Sequence, residues 1–235
     1  MNENYTIEQA SPEVQRKFIA GVYFKMFFAL VITGVVAFFT EDIYIYLCQQ
    51  GIITLENYKI FMWCPLILEL VLVLALSFAI NKINPVFAYF LFILYSVCTG
   101  FSLSFIFQFY EITSVYKVFA VSAAMFLGMT IYGATTKSDL TSAGRYLMMA
   151  LIGLIIMSVF NIFMKSSRLD WILCLVGIGI FIGLTAYDTQ KIMRMSTHAD
   201  GSKNFKKLEI IGALELYLDF INIFIKMLTL FGKKK

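Results

Sequence analysis

The sequence predicts an all-α integral membrane protein, a seven-transmembrane-helix bundle with the last helix central. Hydrophobic residues make up 60% of the chain and charged residues only 14%, with a mean hydropathy of +0.81. Soluble domains carry about 25% charged residues, so this chain lacks the charge to clothe a water-facing surface. Apolar runs recur along it, each near the roughly 20 residues a helix needs to cross the hydrocarbon core. The last run also carries Glu215, Asp219, Asn222 and Lys226 at i, i+4, i+7 and i+11, one polar stripe on an otherwise apolar helix. Such a face cannot look at lipid, so it turns inward and makes the helix a central element, or it lines a water-filled path.

Residues 1–17 are polar, with Glu3, Glu8, Glu13 and Arg16 around Pro12. No basic leader precedes the first apolar run, so this stretch reads as a cytoplasmic tail rather than a signal peptide. The runs follow at 18–39, 61–80, 86–109, 115–134, 146–164, 171–192 and 208–231. They define a transmembrane domain over 18–232, followed by a basic tail at 233–235. The connectors are short and polar, and none has room for a soluble domain. In the sixth run Gly177, Gly179 and Gly183 mark close helix contact, with the Gly179-xxx-Gly183 spacing admitting a neighbouring backbone.

Basic residues near alternate ends set the orientation. With the N-terminus inside, that side receives Arg16, Lys17, Lys82, Lys137, Arg145, Lys191, Arg194, Lys203, Lys206 and Lys207. The other side receives Lys59, Lys117, Lys165 and Arg168. This favours N-in but leaves a conflict, because seven crossings place the Lys-rich C-terminus outside. The alternative is a last segment that enters and returns.

The net charge of +4 is spread along the chain and gives no reason to invoke nucleic acid. Cys48, Cys64, Cys98 and Cys174 show no CxxC spacing, and His198 stands alone, so no zinc or haem ligand set exists and no cofactor is expected. The cysteines read as packing thiols, except that Cys48 and Cys64 flank one short loop and could pair in an oxidising compartment.

Asp188 and Asp219 lie inside the sixth and seventh runs. An Asp at mid-membrane costs roughly 2.5–3.5 kcal/mol even on the insertion-based scale, so a buried acid there is a functional-site candidate. With N-in topology Asp188 sits about 6 Å, Glu215 about 10 Å and Asp219 about 17 Å from the cytoplasmic end, at 1.5 Å per residue. Neighbouring carboxylates share a proton and titrate as a unit. Deprotonated, their oxygens suit a hard cation such as Ca2+, and protonated they lose that affinity. The same counting places Glu69 and Lys226 at a common depth of about 9–12 Å on the other side, a candidate ion pair.

These residues carry a resemblance to the Bax inhibitor-1 (transmembrane Bax inhibitor motif) family over nearly the whole chain. The segments are 22–26, Glu69, 94–104, 132–141 and, most specifically, 183–192 (GLTAYDTQKI) and 216–224 (LYLDFINIF). The resemblance implies a seven-helix fold around the last helix and a pH-sensitive calcium leak through a di-aspartyl site, which maps to Asp188 and Asp219. In some members a basic residue toward the cytoplasmic end of the second helix latches the sixth-helix aspartate. Lys82 is the nearest counterpart here. Position 215, usually small and polar in the family, is Glu215, a third acid. Bacterial relatives modulate a membrane-bound quality-control protease, so a regulatory protein binding a partner through its polar N-terminal tail is the alternative function.

An enzyme is not expected. An intramembrane aspartyl protease also presents Tyr-Asp in one helix and Asp in the next, but its second motif reads Gly-x-Gly-Asp, whereas this chain has Leu216-Tyr217-Leu218-Asp219 and no Pro-Ala-Leu element after it. The expected location is a bacterial inner membrane, ahead of endoplasmic reticulum, with the lipid bilayer, calcium ion and protons as partners.

Overall fold

The computed structural model describes residues 10–52, 58–80 and 82–235. Their backbone forms α1 (Pro12–Gln49), α2 (Tyr58–Ala79), α3 (Pro85–Phe109), α4 (Ile112–Thr135), α5 (Thr141–Met164), α6 (Ser167–Ser196) and α7 (Lys203–Phe231). Among the described residues five helices are long and apolar enough to cross a membrane: α1, α3 through Phe105, α4, α5 and α6. Trp63–Ala79 of α2 is a shorter apolar helix. The stretch of α7 carrying Glu215, Asp219 and Lys226 is too charged to join them by composition.

Polarity is inverted relative to a water-soluble protein. Ile152, Ile155, Phe160 and Phe163 of α5 are exposed, whereas Asp188 and Asp219 are 9% and 4% exposed. Outward apolar side chains and inward acids fit a lipid environment. The molecule is an integral membrane protein.

The first helix begins earlier than its apolar run. The Ser11 hydroxyl accepts from the Val14 amide at 3.4 Å, Pro12 needs no partner for a missing N–H, and Glu13 complements the helix dipole. Residues 12–17, expected as tail, therefore extend α1. Residues 1–9, which hold the rest of that tail and most of the expected docking segment, lie outside the described residues.

The chain divides into two compact bodies: residues 10–109 with 199–214, and residues 110–198 with 215–235. In the first, α1 packs on α3, and α2 on α3. The Thr33 hydroxyl donates to the Ser96 carbonyl at 2.8 Å, and a Cβ added at Gly100 would sit 2.7 Å from the Cβ of Val36. Phe18 meets Phe205 edge-on at 6.0 Å. Beside them Lys25 pairs with Glu209 at 2.5 Å and donates to the Gly21 carbonyl at 3.3 Å.

In the second body α4 and α5 both pack on α6. Gly133 of α4 rests against the Ala186 carbonyl, Gly144 of α5 against the Tyr187 ring, and Gly183 against Leu147. Gly179, expected to pair with Gly183 as a contact motif, has nothing within 4 Å of an added Cβ. The close approach is made by Gly133, Gly144, Gly177 and Gly183 instead. Equal spacing gives two glycines a common helix face, but the partner's own side chains decide which is used.

The later part of α7 runs antiparallel to α4, with Phe119 edge-on to Phe220 at 5.4 Å and to Phe224 at 5.8 Å, and Phe126 on Phe220 at 5.7 Å. Its end is fastened at the start of α4. The Glu111 amide donates to the Lys233 carbonyl at 2.9 Å, the Lys233 amide donates to the Ser114 hydroxyl at 2.9 Å, and Lys233 pairs with Glu111 at 2.7 Å. The end of α6 is fastened beyond the far end of α4, where Arg194 meets Asp139 at 2.6 Å. Helix α7 is one continuous helix of 29 residues.

Burial along α7 extends around the helix: Leu216, Tyr217, Phe220, Ile221, Ile223 and Phe224 are all buried. Cys48 and Cys64 are exposed and free, so the disulfide contemplated across the first loop does not form. Cys98 and Cys174 are buried packing thiols, as their apolar settings imply.

Candidate functional site: a carboxylate-lined cavity

A cavity of about 600 Å3 opens in the second body among α5, α6 and α7. Helix α6 contributes Asp188 and Lys191, three residues apart and so on one face. Helix α7 contributes Glu215, Asp219, Asn222 and Lys226, the full stripe seen in the sequence. Helix α5 supplies an apolar wall that includes Leu151, Ile155 and Val159. The stripe runs about 16 Å along α7 at 1.5 Å per residue.

The acids differ in how they are held. Glu215 pairs with Lys191 through Oε1 at 2.6 Å, while its Oε2 is buried with no hydrogen-bond partner. Oδ2 of Asp219 is likewise buried and unpartnered. Asp219 faces Asp188, Glu215, Thr185 and Lys191, and the Thr185 hydroxyl donates to the Phe181 carbonyl at 2.8 Å. Buried polar atoms are nearly always satisfied, and leaving one bare costs about 1–3 kcal/mol. Two bare acid oxygens lining one cavity therefore mark a place for a proton or a cation.

Among the described residues no group of three or more His, Cys, Asp or Glu is arranged to hold a metal ion. A hard cation that takes six to eight oxygens would meet acid oxygens here, but no preformed cage.

Further along, Asn222 donates to its own helix at the Leu218 carbonyl, 2.8 Å away. The aliphatic stem of Lys226 lies on Gly177, where an added Cβ would collide with its Cδ and Cε. Gly177 thus serves the lysine rather than a phosphate loop.

The segment of α6 that carries Asp188 is held from three sides. Gly133 and Gly144 seat Ala186 and Tyr187. Gln190 accepts from the Leu140 amide at 2.9 Å and donates to the Ser138 carbonyl at 2.8 Å. Arg194 donates to Gln190, Thr141 and Asp139 at 2.8, 2.8 and 2.6 Å. The Thr141 hydroxyl and amide, and then the Arg194 guanidinium, hold the Asp139 carboxyl well below the usual carboxylate range. This network fixes the register of Asp188 against the turn between α4 and α5.

The remaining expected residues fall elsewhere. Glu69 accepts from the Ser102 hydroxyl at 2.6 Å within the first body, whereas Lys226 lines the carboxylate cavity of the second. Each is engaged within its own body. Lys82 lies exposed in the turn after α2, in the first body. Lys191, Gln190 and Arg194 entered the sequence reading only as motif letters or basic charge. For Lys191 the three-residue spacing from Asp188 was the available signal.

The family described as Inhibitor of apoptosis-promoting Bax1 matches residues 15–235. The chain is 40% identical over 220 residues to Inner membrane protein YbhL of Escherichia coli strain K12, covering 93% of this chain and 92% of that protein. It is 39% identical over 233 residues to an uncharacterized protein of Borreliella burgdorferi, covering 98% and 97%. A Rickettsia prowazekii protein is 39% identical over 223 residues, covering 94% and 91%.

Proposed function

We propose, since the chain belongs to the Bax inhibitor-1 family, that it is a pH-sensitive calcium leak of a bacterial inner membrane, working through Asp188 and Asp219. In this reading seven helices cross the bilayer and α7 is enclosed by the others, which the burial around α7 supports. The name of the Escherichia coli relative supports the inner-membrane location.

The observation that carries the function is the cavity itself, where Asp188, Asp219 and Glu215 meet and two of their oxygens have no partner. A proton and a cation compete for the same oxygens. At a pH where the acids hold protons the cavity loses its negative charge, and when they ionise it offers oxygen ligands to Ca2+. The apolar α5 wall keeps the local dielectric low, which strengthens this competition.

Reconstitution into proteoliposomes tests the proposal by Ca2+ flux across a pH series. Asp188→Asn and Asp219→Asn should each remove the pH dependence and cut flux at least about tenfold, the size expected for removing a charged ligand from a low-dielectric site. Unchanged flux and pH profile in both variants would overturn it.

A further inference from the structure

The cavity carries a basic residue that the leak mechanism leaves unused. Lys191 sits one helical turn beyond Asp188, pairs with Glu215 at 2.6 Å, and faces Asp188 and Asp219 as well. From α6 it meets Asp188 and the neighbouring Tyr187. From α7 come Glu215 and Asp219, with Lys226 at the far end of the stripe. The α5 wall of the cavity contributes no charged residue.

Its setting differs from a structural ion pair. Lys25 and Glu209 are 22% and 19% exposed, and Lys25 is also bound to a backbone carbonyl. Lys191 and Glu215 are 36% and 28% exposed, and Glu215 keeps one oxygen bare. A lysine is a compact charge on a flexible stem, so it can leave the cavity without unfolding a helix. Its departure would turn both Glu215 oxygens toward Asp188 and Asp219.

We infer that Lys191 is a tethered counter-cation, held on Glu215 beside the two aspartates, that a divalent cation must displace to enter the cavity. The inference rests on the cation-leak reading of the same site. It adds selectivity: a divalent ion replaces the lysine charge and leaves one positive charge over, whereas a monovalent ion only exchanges with it. Lys191 therefore favours divalent over monovalent cations and slows the leak of both. Glu215 is its anchor, a positioning residue for the lysine.

The test uses the full chain with Ca2+ and K+ as probes. Radiolabelled Ca2+ binding in detergent and flux of each ion in proteoliposomes are compared for wild type, Lys191→Gln and Lys191→Arg. Lys191→Gln should bind Ca2+ about tenfold tighter and raise K+ flux by more than Ca2+ flux, because a competing charge is gone. Lys191→Arg keeps the charge and should change both far less. Unaltered affinity and ion preference in Lys191→Gln, or equal behaviour of the Gln and Arg variants, would overturn the inference.

A readout independent of transport separates it from the leak reading. In an amine-acetylation experiment read by mass spectrometry, Lys191 should be protected in wild type and become reactive in Glu215→Gln. Protection lost in Glu215→Gln with no Ca2+ binding or flux in any variant sinks the leak reading and, with it, displacement by a cation, while leaving the tether demonstrated. Equal reactivity of Lys191 in wild type and Glu215→Gln removes the tether itself.

Discussion

The two bodies of the molecule both place acids among apolar helices, and they treat them in opposite ways. In the first, Glu209 is paired with Lys25 at 2.5 Å over the room left by Gly21, and Glu69 accepts from Ser102 at 2.6 Å. In the second, Asp219 and Glu215 each leave an oxygen bare inside a cavity of about 600 Å3. The residue type is the same, so its presence in a membrane segment does not by itself mark function. What distinguishes the second body is an acid whose desolvation is left uncompensated in a space that a small ion can enter.

The largest expected break of this contrast is Asp219→Asn. It should reduce Ca2+ flux at least about tenfold while leaving the thermal melt in detergent unchanged or raised, because removing a bare buried acid relieves about 1 kcal/mol or more of desolvation. A lowered melt with proportional loss of flux would place Asp219 with the structural acids.

Next in size is Gly133→Ala, whose Cβ would collide with the Ala186 carbonyl two residues before Asp188. Overpacking of this kind costs about 1–3 kcal/mol. The melt should fall by a matching amount, and a wild-type melt would show that α4 and α6 are not in this contact.

Lys25→Met probes the first body by leaving Glu209 without its partner. Stability should drop by about 1–3 kcal/mol for a half-buried charge, while Ca2+ flux per folded protein is retained. Flux lost without loss of stability would contradict the division between the two bodies.

The smallest effect belongs to the exposed Asp139. Its folded-state pKa lies below the unfolded value of about 3.9, so its contribution is present above that pH and is lost as pH falls through the folded value. Asp139→Asn should therefore lower the melt slightly at neutral pH, and the gap should narrow once the pH drops below about 4. A gap that widened on acidification would reverse the assigned sign.

Much of this organisation was legible before any coordinates. Charge scarcity and run length gave the membrane class, and the i, i+4, i+7, i+11 spacing put Glu215, Asp219, Asn222 and Lys226 on one cavity. Periodicity reports which face of a helix is shared, and that information is local. It cannot say which neighbour a face meets. Lys191 was counted only as a basic residue for orientation, though it holds Glu215 from the adjoining helix. Glu69 was placed by depth alone, which carries no sign of the hydroxyl it accepts from at Ser102. Gly179 and Gly183 had the right spacing, but Leu147 of α5 meets only Gly183. In each case the missing information was azimuth around the bundle, set by packing between helices distant in sequence.

The central claim is that bare carboxylates conduct and satisfied ones hold the fold. Its most direct test is Ca2+ flux per folded protein in proteoliposomes, measured side by side for Asp219→Asn and Glu69→Gln. The account predicts at least about a tenfold loss in the first, for a lost charge in a low-dielectric cavity, and flux near wild type in the second, where glutamine still accepts from Ser102. Equal losses in both, or a loss confined to Glu69→Gln, would contradict it.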